Sequence, residues 1–286
     1  MTPDLRARID ALGRELSPAL IGGTQAMFGA ENRGMDPATR ITRDHSYGPH
    51  ERNRLDLFTR DGLSGAPVLL FVHGGGFVMG DKHAEGSPFY SNIGDFAARR
   101  GMLGACMTYR LAPEHKFPAG PDDVAAAVDW LRAHAAAHGG DPARIVLMGQ
   151  SAGAAHVAGY LAHRRDHAAG VAGAVLMSGI YDTTTCHPND FAKAYYGDDQ
   201  AGWGAASCVA GLLASPVPIQ FSVAEFDPED FHRQAGQIVT DWVRAKGVYP
   251  EMHFLAGHNH LSPALSIGSN VRDSEAMVAG FVRRVA

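Results

Sequence analysis

The stretch Ile145-Val146-Leu147-Met148-Gly149-Gln150-Ser151-Ala152-Gly153 decides the fold. Its first four residues are bulky and apolar without alternation, the pattern of a strand covered on both faces. Gly149 to Gly153 then reads G-x-S-x-G, and Ala152–His163 continues as an Ala-rich helix. A serine on so sharp a strand-to-helix turn lifts its Oγ clear of the sheet end. A Cβ two positions to either side would clash, hence the two glycines. The five-residue pattern alone is weak; the strand before it and the helix after it give it weight.

Working outward, Ala66–His73 (A-P-V-L-L-F-V-H) is a second continuous apolar run, and it ends in glycines. Met102–Tyr109, Arg144–Gly149, Val171–Ser178, Val217–Ala224 and Tyr249–Leu255 read as strands in the same way. Helices are predicted over Pro121–Ala137, Ser151–His163, Pro228–Lys246 and Ser274–Val285. Pro121 suits a helix start, and Asp122 and Asp123 suit the positive end of the helix dipole. This alternation predicts an α/β fold with a mostly parallel central sheet and helices on both faces. Arg40–Asp44 and Arg54–Phe58 have no helix between them and predict an antiparallel edge.

The chain has 286 residues, with 25 Lys+Arg against 30 Asp+Glu and a formal net charge of −5. Hydrophobic residues make up 45%, which excludes a disordered chain. Neither a repeat of solenoid length nor a Ser/Gly/Pro-rich linker divides it. Residues 1–286 are therefore expected to form one domain with two small additions. Residues 1–38, with Leu5, Ile9, Leu12 and Leu16 at helical spacing, are expected to be an N-terminal cap segment. Residues 183–215 form a long lid-like insertion after a strand.

Without a Lys/Arg run the chain is a poor candidate for nucleic acid. Its longest run lacking polar side chains, Ala168–Met177, is ten residues, about half of a membrane span. Asp4, Arg6 and Arg8 precede no apolar stretch, so no secretory signal is expected. Three cysteines, Cys106, Cys186 and Cys208, cannot pair fully and fit a reducing compartment. A cytoplasmic location is expected.

Glycine is the one excess, 34 residues, and two clusters of it face the candidate chemistry. In His73-Gly74-Gly75-Gly76 the bare backbone lets the N–H groups of Gly75 and Gly76, joined by that of Ala152, approach a developing oxyanion. His73 itself reads as a brace for this loop. A nucleophilic Ser151 needs a base and an orienting acid, in the chain order Ser, acid, His. The loop expected over Leu255–Leu261 offers His258 and His260; His260 is preferred. The pair could hold a metal, but no H-E-x-x-H and no cysteine cluster accompanies it, so neither metal nor cofactor is expected. For the acid, Asp227 ends a strand before a Pro-initiated helix; Glu225, Asp230 and Asp182 are its rivals.

These residues resemble the α/β-hydrolase superfamily, and within it the hormone-sensitive-lipase-like carboxylesterases. The resemblance rests on His73-Gly74-Gly75-Gly76-Phe77, Tyr109-Arg110-Leu111-Ala112-Pro113-Glu114-His115 with Phe117-Pro118-Ala119, the Ser151 elbow, and Glu225-Phe226-Asp227-Pro228. It spans about residue 55 to residue 262. Three departures stand out. Gln150 occupies a position that is usually Asp, Ala154 one that is usually Gly, and His260 precedes Leu-Ser rather than Gly-Phe. The last segment is more similar to feruloyl esterases and kynurenine formamidases, whose histidine corresponds to His260. The resemblance implies a serine carboxylesterase acting on short-chain or aryl esters, with a small-molecule ester as partner. A second copy of the chain is the one protein partner left open. An aryl-formamidase or other amidase with the same triad is the alternative, and a non-catalytic binder the remote one. Phe28, Phe77, Phe191, Tyr195, Tyr196 and Trp203 are candidate pocket walls or core.

Overall fold

The computed structural model describes residues 1–286. Two helices open the chain, α1 (Pro3–Asp10) and α2 (Pro18–Glu31), and strands β1 (Arg40–Ser46), β2 (Arg54–Thr59) and β3 (Ala66–Val72) follow. Next come α3 (Ser91–Arg99), β4 (Leu103–Met107), α4 (Ala119–His134), β5 (Gly140–Gln150), α5 (Ala152–His163) and β6 (Val171–Met177). The last part holds α6 (Asp190–Tyr196), α7 (Val209–Ala214), β7 (Ile219–Phe226), α8 (Glu229–Lys246), β8 (Glu251–Asn259), α9 (Ser262–Leu265) and α10 (Asp273–Val285).

All eight strands form one sheet in the order β1-β2-β4-β3-β5-β6-β7-β8. β1 pairs antiparallel with β2, and β2 with β4; every other pairing is parallel. The antiparallel edge and the parallel body are the arrangement predicted from strand–helix alternation. In β3, Val68, Leu70 and Val72 face one core while Leu69 and Phe71 face the other. This period of two explains why the strand needs apolar residues throughout. α4, α5 and α8 cover the first face; α3 and α10 cover the second.

Several elements differ from the sequence reading. α3 has no counterpart in it: its start at Tyr90 lacks a side-chain cap, so no local signal marks it, although Ile93 and Phe96 are buried. β8 runs on to Asn259, because its ladder with β7 continues past a register shift to Phe226↔Asn259. His258 therefore lies in a strand, and His260 is the first residue beyond it rather than mid-loop. β7 starts at Ile219, after Pro218, whose missing N–H cannot join the ladder.

The N-terminal apolar face is also split. Gly13, at φ +76°, and the capped start at Ser17-Pro18 separate α1 from α2. Leu5 and Ile9 are buried with Phe28 and Phe226, while Leu16 remains exposed. Between β6 and β7 the insertion folds as α6, a 3₁₀ turn over Gln200–Ala206, and α7. No helix is long and apolar enough to cross a membrane.

Candidate active site

Ser151 sits between β5 and α5 with φ +56° and ψ −122°, a conformation that L residues hold only under constraint. The constraint is packing. A Cβ on Gly149 would overlap the Gly153 carbonyl, and one on Gly153 would overlap the Val72 and His73 carbonyls. Ser151 N–H is tied to Met177 O at 2.9 Å, anchoring the turn to β6.

His260 Nε2 lies 2.8 Å from Ser151 Oγ, and His260 Nδ1 lies 2.6 Å from Asp227 Oδ1. An ionised carboxylate only accepts, so the ring proton sits on Nδ1 and Nε2 is left to accept from the serine hydroxyl. Asp227 and His260 are both buried, which shields the chain of hydrogen bonds from water. Such an arrangement can draw the proton from Ser151 as its oxygen attacks an electrophile. The ring of Phe231 packs 4.2 Å from that of His260, centroid to centroid. Gln150 Nε2 donates to His260 O at 2.8 Å, a bond that the Asp usual at this position could not make.

The rival residues are engaged elsewhere. His258 is wholly buried, with Nδ1 2.9 Å from Ser262 Oγ and Nε2 3.5 Å from Asp273. Glu225 is paired with Arg6 and accepts Gly257 N–H at 2.6 Å. Asp230 pairs with Arg233 at 2.6 Å, and Asp182 accepts from the Thr184 hydroxyl at 2.6 Å. The one carboxylate hydrogen-bonded to His260 is that of Asp227.

Gly75 and Gly76 adopt φ +137° and +59°. Gly75 O accepts from Val78 and Met79 N–H in a tight turn, while the N–H groups of Gly75, Gly76 and Ala152 make no bond within the chain. These three donors line the same cavity as Ser151 and His260. His73 braces the turn as expected. It is fully buried, stacks 4.4 Å from the Tyr109 ring, and its Nδ1–H donates to Gly74 O at 2.7 Å. Burial pushes His73 down to about 4, so it is neutral near pH 7. Tyr109 O–H donates to His73 O at 2.9 Å, and Arg110 pairs with buried Asp123, so the Tyr109–Ala119 stretch is bracing too.

The cavity measures about 910 Å³. Ile21 and Gln25 of α2 wall one side, with Phe191 and Tyr196 of α6 on another. Both sequence additions thus reach the cavity. Phe77, Phe191 and Tyr196 line it, whereas Phe28, Tyr195 and Trp203 are core. Sequence reasoning missed Ser178, whose Oγ–H donates to Asp227 Oδ2 at 2.7 Å, and Asn259, whose Oδ1 holds the N–H groups of Leu261 and Ser262 just after His260. A lone serine or asparagine at a strand end carries no pattern that singles it out.

Comparison with known proteins follows the same lines. The isoprenylcysteine alpha-carbonyl methylesterase of Arabidopsis thaliana is 38% identical over 122 residues, 42% of this chain and 27% of that protein. Tuliposide A-converting enzyme 2 of Tulipa gesneriana, described as chloroplastic, is 42% identical over 141 residues, 46% of this chain and 34% of that one. The matches therefore span about a quarter to a third of these curated relatives. A crystal structure of an esterase from the bacterial hormone-sensitive lipase family superposes with a TM-score of 0.73 at 23% identity, covering 100% of this chain and 99% of that one. Esterase B from Lactobacillus Rhamnosis superposes at 0.76 with 17% identity, covering 99% and 94%. At such identities the likeness is one of fold. The family profile described as alpha/beta hydrolase fold matches residues 69–262, more than half of the chain and from β3 to just past His260, and the chain belongs to that family.

Proposed function

We propose that the protein is a serine carboxylesterase that works through an acyl-enzyme on Ser151. The observation that carries the reading is the continuous chain Ser151 Oγ, His260, Asp227, opposite three unpartnered backbone N–H groups. Ser151 attacks the ester carbonyl as His260 takes its proton, and Asp227 holds the imidazole in the required tautomer. Gly75, Gly76 and Ala152 donate to the tetrahedral oxyanion. His260 then protonates the departing alcohol and activates the water that releases the acid. The named activities of the relatives, a methylesterase among them, support ester chemistry. Residues 1–38 act as a cap and residues 183–215 as a lid-like wall, since α2 and α6 bound the cavity. The apolar lining suits short-chain or aryl esters.

Hydrolysis of p-nitrophenyl acetate and butyrate by the purified protein tests the reading. Ser151→Ala is expected to lower kcat by at least about 10⁴-fold. Hydrolysis at the wild-type rate in Ser151→Ala would refute it.

A further inference from the structure

Asp227 is fully buried, and a carboxylate withdrawn from water must find donors for both oxygens. Oδ1 takes the Nδ1–H of His260 at 2.6 Å. Oδ2 takes two donors at 2.7 Å each, the backbone N–H of Ala224 and the hydroxyl of Ser178. Its only ion-pair partner is His260 itself. The fixed solvation of this carboxylate is therefore one backbone N–H and one side-chain hydroxyl.

The backbone at Ser178 is the second, independent observation. Ser178 is the first residue after β6 and has φ +47°, in the left-handed region that disfavours a side chain. A glycine stands next to it, Gly179, yet the positive φ falls on the serine and not on the glycine. The strained residue is held by its own N–H, which donates to Ser222 O at 2.9 Å. What serine has and glycine lacks is the hydroxyl, and its single hydrogen bond goes to Asp227.

We propose that Ser178 is a positioning residue that holds Asp227, and through it His260, in line with Ser151. The inference rests on the reading of Asp227 as the orienting acid. Two donors on Oδ2 fix the rotation of the carboxylate about its Cβ–Cγ bond, so that Oδ1 faces the imidazole. With the hydroxyl gone, one backbone N–H remains on Oδ2, and the carboxylate turns more freely. Ser178 is buried and does not line the cavity. Its loss should therefore slow proton transfer and leave substrate binding alone.

The test compares wild type, Ser178→Gly, Ser178→Ala and Asp227→Asn on p-nitrophenyl butyrate. Glycine removes the hydroxyl and relieves the backbone; alanine removes the hydroxyl and keeps the strained Cβ. Both are expected to lose about tenfold in kcat with KM changed less than about twofold. The low-field proton resonance of His260 Nδ1–H should shift in both. Ser178→Gly suits this backbone and supplies a folded variant even where alanine does not. Wild-type kcat in both variants overturns the proposal, whatever happens to Tm. Wild-type kcat in glycine with a defect confined to alanine overturns it too, because the backbone and not the hydroxyl would then matter. A wild-type protein inert toward esters, or Asp227→Asn at the wild-type rate, would instead remove the triad reading and this inference with it.

Discussion

Asn259 Nδ2–H donates to Thr24 Oγ1 at 2.8 Å, with both side chains fully buried, so α2 is tied to the residue before His260. Asn259 Oδ1 accepts the N–H groups of Leu261 and Ser262, which fixes the chain on the other side of that histidine. Helix α2 thus holds the candidate site as well as walling it. Thr24→Val keeps the shape but leaves the Asn259 amide unpartnered. It is expected to cost about 1–3 kcal/mol of stability in urea denaturation and to lower kcat severalfold. Thr24→Ser, which restores the oxygen, should recover most of the loss.

The two neighbouring histidines should respond to alanine in opposite ways. His260→Ala removes the group in contact with Ser151 and is expected to lower kcat by about 10³-fold or more. His258→Ala leaves that contact intact. It opens a cavity beside Ser262 and should show mainly as a Tm lowered by several degrees, with kcat within about tenfold of wild type. Parallel kinetics and thermal melts separate the two.

Gly75→Ala probes the oxyanion turn. Its φ of +137° is closed to alanine, and the added Cβ would overlap the Met79 carbonyl. The turn must move, taking at least one donor with it, and kcat should fall by about 10²–10³-fold. Circular dichroism should remain that of the wild type, because the turn lies outside every helix and strand.

Stability should fall between pH 6.5 and pH 5. Burial pushes His73 down to about 4 and His156 to about 3, from an ordinary value of 6.5. Below pH 6.5 the unfolded chain therefore binds protons that the folded chain refuses. The stability is complete above about pH 6.5 and is lost as pH falls toward the folded values. At pH 5 each histidine should cost on the order of 2 kcal/mol. Buried carboxylates held low by their partners, such as Glu275 beside Arg272, respond only below about pH 4.5 and leave this window clear. Urea midpoints at pH 7 and pH 5 measure the effect, and His156→Gln should flatten it.

The continuous apolar strands were legible because a parallel strand buried on both faces admits no polar position, a constraint written along the chain itself. Ser151, Asp227 and His260 were legible for a related reason. Each stands just beyond the C-terminal end of a recognisable strand, the edge at which open α/β sheets gather their sites. The turn glycines at 75, 149 and 153 could be read because backbone contact excludes any larger residue, and Gly76 because its φ of +59° disfavours a side chain.

What tertiary structure alone decided lies between segments far apart in the chain. Thr24 meets Asn259, Ser178 meets Asp227, and Gln150 meets the His260 carbonyl, at separations of 235, 49 and 110 residues. Which of His258 and His260 meets Ser151 belongs here too: residues two apart in a strand share a face, so the alternating pattern cannot separate them, and only the end of the β8 ladder at Asn259 frees His260 to turn toward Ser151. The sequence by itself determined the strands, the elbow and the candidates for the site, because local sterics and burial act through neighbours in the chain. The folded sheet decided which donors surround them, because a hydrogen bond depends on distance in space and leaves no periodic mark along the chain.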